Sequence, residues 1–121
     1  MFYSQKIVFK FYDQLISVAP EDIVCCKADD DWTIICLSGN RELQIDRMIS
    51  QMMSKLPSTH FSRVHKHWIV NLHYIDKVIW DENLIRMTED IFVPLYPMMK
   101  LRLENLLLNN PIFCRQLEYM D

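Results

Sequence analysis

All four histidines of this 121-residue chain fall between His60 and His73, in the stretch HFSRVHKHWIVNLHY, with Arg63 and Lys66 between them and Lys77 just beyond. Histidines at this density suit three kinds of chemistry: metal ligation, general base catalysis and contact with phosphate. On a strand, His65 and His67 would share a face as a two-imidazole pair. Zinc takes three or four ligands backed by an outer shell of hydrogen bonds, however, and no cysteine or acid stands at a matching spacing. A hydrolase needs a nucleophile and an orienting acid beside its base, and nothing in the chain marks either. The only glycine is Gly39. That excludes the Gly-rich phosphate loops, the dinucleotide fingerprint and the nucleophile elbow, each of which needs several glycines at fixed spacing. The reading therefore assigns no catalytic residue, no metal, no cofactor and no small-molecule substrate. Phosphate contact remains. Residues 55–77 carry a net charge of +3 while the rest of the chain sums to −6, within a total of −3. Local potential governs attraction to a phosphate backbone more than the total does.

The elements that must position these side chains are mostly strands. Half of the residues are hydrophobic and a quarter charged, an ordinary globular composition at the size of one domain, and residues 1–121 are read as a single one. Runs of β-branched and aromatic residues bounded by turn residues mark strands at 6–12, 15–18, 22–28, 32–37 and 41–45. Asp29, Asp30 and Asp31 form a turn, and Ser38–Asn40 a hairpin turn in which Gly39 takes positive φ. The period then changes. Ile45, Met48, Ile49, Met52, Met53 and Leu56 recur at three and four residues, which predicts a short amphipathic helix over 47–56, capped by Asp46, with Pro57 after it and the methionines in the core. Strands return at 61–65 and 68–70, with Lys66 and His67 at the tip between them. Residues 75–80 are expected to pair with 83–87, a last strand covers 90–95, and leucines at 101, 103, 106 and 107 predict a closing helix from Pro97 to Asn109. The last eleven residues show no pattern.

Cys25, Cys26, Cys36 and Cys114 have neither the spacing of a zinc knuckle nor that of a disulfide framework, so they read as free thiols in a reducing compartment. No signal peptide and no membrane-length apolar run is visible. The expected location is cytoplasmic, without membrane insertion.

The order of these elements, together with the words inside them, resembles the LytTR-type DNA-binding domain of bacterial transcription regulators. EDIVCCKADDDWTIICLSG is followed by a short helix ending in Leu56-Pro57 and then by FSRVHKHWIVNLHYIDKV. The family's central phrase is an aromatic, Arg, an apolar residue, His, a basic residue, a small polar residue and an apolar triplet ending in Val-Asn. Phe61, Arg63, Val64, His65, Lys66, His67, Trp68, Ile69, Val70 and Asn71 stand at those positions, and the resemblance runs from about Lys6 to Leu107. Residues 108–121 are then a C-terminal extension.

The resemblance implies a mainly β fold: an elongated arrangement of small antiparallel sheets with a short amphipathic helix and a C-terminal helix. It implies double-stranded DNA as partner, bound by loops and strand ends that enter successive grooves of imperfect direct repeats, which two copies can occupy. On that reading Lys66 meets bases and His67 phosphate, although His67 stands where the family prefers a small polar residue such as Ser. Arg63 reaches phosphate, His65 pins the turn, and Asn71 fixes the turn after it. Trp32 or Thr33 makes a second contact. A third comes from Tyr96, Lys100 and Arg102. Two departures stand out. Three aspartates adjoin Trp32, where they would repel phosphate. Tyr96-Pro97 replaces the family's Ser-Arg, so the arginine that would enter the second groove is missing. These departures support an alternative, a protein-interaction module of the same fold that has lost specific DNA binding. The family usually couples this domain to a receiver domain. None is recognisable here, so either a separate regulatory protein controls the chain or the chain is a fragment.

Overall fold

The computed structural model describes residues 5–110. Among the described residues, ten strands form three antiparallel sheets. A hairpin of β1 (Ile7–Phe11) and β2 (Gln14–Val18) stands by itself. The central sheet has five strands in the order β5-β4-β3-β7-β6: β3 (Ile23–Asp29), β4 (Trp32–Leu37), β5 (Arg41–Ile45), β6 (Phe61–His65) and β7 (Trp68–Asn71). The third sheet is a meander of β8 (Ile75–Ile79), β9 (Leu84–Met87) and β10 (Phe92–Pro94). Helix α1 (Ile49–Lys55) links β5 to β6, and α2 (Lys100–Leu108) follows a 3-10 turn at Pro97–Met99. The mainly β architecture read from the sequence holds, and so does the expected pairing of the segments at 75–80 and 83–87.

The middle of the central sheet is covered on both faces, which explains the continuous apolar runs at the start of β3 and in β7, whereas the edge strand β5 is mostly exposed. One face carries Ile23, Cys26, Ile35, Phe61 and Ile69 against the β1–β2 hairpin and α1. The other carries Val24, Cys25, Val64 and Val70 against Ile85, Met87 and Val93 of the third sheet and Leu103 of α2. Adjacent Cys25 and Cys26 point to opposite faces, as the pleat requires. Both are free and fully buried, and burial pushes the Cys26 thiol up, so it stays neutral at ordinary pH.

The third sheet is tied to the central one by Glu89. Its carboxylate accepts from the backbone N–H groups of Gly39 (2.8 Å) and Asn40 (2.7 Å) in the β4–β5 turn. Glu89 and its neighbour Asp90 both hold positive φ, at 64° and 59°, and Gly39 takes the positive φ expected of it, at 83°.

Two details differ from the sequence reading. The first helix begins two residues later than expected, with Met48 rather than Asp46 at the cap. The reason is Gln51, whose side-chain oxygen reaches back to accept from the Met48 N–H at 3.0 Å. Of the methionines assigned to the core, Met52 is fully buried and Met53 half-buried, but Met48 is exposed because it precedes the first helical turn. Cys114 and most of the C-terminal extension lie outside the described residues.

Candidate nucleic-acid interface

The histidines that cluster in sequence separate into two pairs in space. His65 and His67 sit at the tip of the β6–β7 hairpin, rings 5.8 Å apart. His60 and His73 stack at its base, 5.2 Å apart. Five strand residues separate the two ends, about 16 Å at the usual rise. Among the described residues no three His, Cys, Asp or Glu side chains converge as a metal site would need.

The tip is held rigidly from three sides. Arg63 donates from Nη2 to the Lys66 carbonyl at 2.6 Å. The His67 N–H donates to His65 Nδ1 at 3.1 Å. The Ala28 N–H donates to the His67 carbonyl at 2.9 Å, tying the tip to the central strand. With the backbone fixed, the side chains of Lys66 and His67 project into solvent. Arg63 thus spends at least one of its donors inside the protein. Asn71 does the same work at the far end, with Oδ1 accepting from His73 N–H (3.0 Å) and Nδ2 donating to the Ile23 carbonyl (2.9 Å).

A bulge in β6 shapes the neighbourhood. Arg63 pairs with Ile69 and His65 with Trp68, leaving Val64 as the extra residue. Val64 turns into the second core, and its carbonyl accepts from the Tyr96 N–H at 2.9 Å. That bond sets the Tyr96 ring 4.3 Å from the His65 ring. Lys100, half-buried, opens α2 four residues later. Lys66, His67, His65, Arg63 and Tyr96 are therefore gathered at one end of the central sheet.

The second expected contact is altered. Thr33 is fully buried and its hydroxyl donates to the Arg47 carbonyl at 2.7 Å, so it is not on the surface to meet DNA. Trp32 is half-buried with its ring edge-on to Phe11, centroids 6.2 Å apart. Burial alternates along β4 here, and the sequence signal that distinguishes these two positions is weak because both are good strand formers.

Sequence reading also missed Lys27. It pairs across the ladder with Trp68, and its Nζ lies 5.7 Å from the centre of that ring, within cation–π range. Only the β3–β7 register reveals it, since 41 positions separate the two residues. The same register places Asp29, Asp30 and Asp31, at the β3–β4 turn, toward the Lys66 end of the sheet.

The His65 imidazole is held below the usual histidine range, first by burial and then by repulsion from His67. His73 is lowered in the same way by burial and by His60. The unfolded chain therefore binds protons more readily at these rings than the folded one. Their contribution to stability is full above about pH 6.5 and falls as acid titrates the unfolded value and then the folded one. Protonation of His65 Nδ1 also breaks its bond from His67. Thermal melts should hold their midpoint above about pH 6.5 and lose it as the pH falls below that value. His65→Asn, whose Oδ1 stands near the position of Nδ1 and accepts without titrating, should flatten part of that loss. Parallel curves for parent and variant would separate His65 from the acid response.

The LytTr DNA-binding domain family model matches residues 13–95. Among solved structures, the chain resembles the LytTr DNA-binding domain of a Bacillus cereus protein described as a methyl-accepting/DNA response regulator. The TM-score is 0.71 at 21% identity, covering 86% of this chain and 97% of that one. No curated protein matches. The family match spans the central sheet and the third sheet, with the phrase that builds the braced turn inside it, and the chain belongs to the LytTr DNA-binding domain family.

Proposed function

We propose that this protein is a bacterial transcription regulator that binds imperfect direct repeats near promoters, one copy per repeat, in the cytoplasm. The family supports DNA binding and transcription regulation in general, on a regulator fold. One observation carries the finer reading: the β6–β7 turn, braced by Arg63, His65 and Ala28, projects Lys66 and His67 from a fixed backbone. A tip of that kind fits a major groove, where Lys66 donates to guanine O6 or N7 and His67 donates to phosphate. His65 and Tyr96 stand beside it, and Lys100 extends the surface toward the next contact. Arg63 acts chiefly by holding the turn. Trp32 flanks the tip from the β3–β4 hairpin.

Selection of bound duplexes from a random pool tests this reading. A direct-repeat motif should be enriched. Absence of any enriched motif at low salt would overturn specific recognition. A second reading, a protein-interaction module of the same fold, is favoured by the three aspartates, which lie toward the same end of the sheet as Lys66 and oppose phosphate there. A surface potential map separates the two. A positive strip joining Arg63, Lys66 and Lys100 supports DNA, and a strip broken by the aspartates supports the module.

A further inference from the structure

A row of side chains crosses the end of the central sheet that carries Lys66. Lys27 on β3 pairs with Trp68 on β7, Trp68 pairs with His65 on β6, and the His65 ring meets Tyr96. Neighbouring strands lie about 4.8 Å apart, so the row spans on the order of 10 Å from β3 to β6. It is aromatic in the middle and cationic at the β3 end. Lys27 is exposed, and its Nζ sits over the Trp68 face at 5.7 Å.

The next residue, Ala28, donates its N–H to the His67 carbonyl at 2.9 Å. Lys27 is thus fixed within one residue of the tip, and its long side chain is partly ordered by the ring. An ordered ammonium loses less conformational entropy on meeting a partner than a free surface lysine does. Asp29 stands two residues further along the same strand, with Asp30 and Asp31 just beyond it, which makes this arrangement more telling. A cation is needed here to offset them if a phosphate backbone is to pass, and Lys27 is the cation that the β3–β7 register brings to this position.

We propose that Lys27, positioned by Trp68, is a phosphate contact of the DNA interface, flanking the base-reading tip on its β3 side. The proposal rests on the DNA-binding reading above and names a residue that reading does not include. Lys27 makes no base contact, so it adds affinity and salt dependence without adding sequence preference.

The test is a set of salt titrations with the selected duplex and a shuffled duplex of equal length. For Lys27→Gln the slope of log Kobs against log salt should become shallower by about 0.9, the value of one phosphate contact on B-DNA. Lys27→Arg should keep the parent slope, and the preference for the selected duplex should be unchanged in both. Trp68→Leu should weaken binding in the same direction, and Trp68→Phe, which keeps a ring and guards against loss of the fold, should weaken it less. A parent-like slope in a folded Lys27→Gln protein would overturn the Lys27 assignment while the parent's motif enrichment leaves the DNA-binding reading standing. A changed preference between the two duplexes would overturn the phosphate role, because it would mean that Lys27 reads bases. Failure of the parent to prefer any duplex would remove the underlying reading and this contact with it.

Discussion

Phe61→Ala is expected to cost about 3–5 kcal/mol of folding stability, the range for removing a buried aromatic ring from a core. Phe61 is 2% exposed and lies where β6 packs on the first core, together with Met52 of α1, Ile69 of β7 and Phe9 of the β1–β2 hairpin. It therefore joins β6 to α1 and to the β1–β2 hairpin, neither of which shares a backbone ladder with it. The ring's removal leaves a cavity that the flanking sheet cannot close without breaking hydrogen bonds. A domain of this size has a total stability of about 5–15 kcal/mol, so the variant should be close to half unfolded under mild denaturant. Urea melts measure it: the midpoint should fall steeply with little change in slope. Phe61→Leu, which fills more of the space, should cost less. A midpoint like the parent's for the alanine variant would mean that the first core does not depend on this ring. Because β6 also carries Arg63 and His65, DNA binding should be lost along with the fold.

The strands were legible from sequence because β-branched and aromatic runs are bounded by unambiguous turn residues. The runs at 32–37, 41–45 and 61–65 coincide with β4, β5 and β6. Helix α1 was legible as a period but not at its start, since capping by Gln51 depends on a side-chain rotamer and not on residue type alone. The tip residues were legible because one local phrase holds Arg63 to Asn71, and local phrases survive without knowledge of topology. What sequence hid is everything set by register. The β6 bulge at Val64 brings Tyr96 against His65, and the β3–β7 ladder brings Lys27 over Trp68. The same ladder draws Asp29, Asp30 and Asp31 toward the tip. The burial of Thr33 is hidden for a related reason: β4 is covered on both faces, so polarity does not report which of its side chains faces water. The histidines look like one cluster along the chain and are two pairs in the fold.

Lys66→Ala is expected to remove about 1–3 kcal/mol of specific binding, which is roughly 5- to 150-fold in affinity. The lysine is exposed, yet its own carbonyl is held by Arg63 at 2.6 Å and the next residue by His65 and Ala28. Little backbone ordering is then left to cost free energy when the tip enters a groove. A lysine donates to guanine as a point charge and not as a planar fork, so the loss should lie below that of a bidentate arginine contact. Truncation at Cβ leaves all three bracing bonds intact, so the fold should be unaffected.

Sequence is read by this tip. Titration of parent and Lys66→Ala proteins with the selected duplex and with a shuffled one, at a single salt concentration, tests this most directly. The parent should prefer the selected duplex, and the variant should lose most of that preference while still binding both duplexes weakly through phosphate. An unchanged preference in the folded variant would contradict it, since the bases would then be read from elsewhere on the protein.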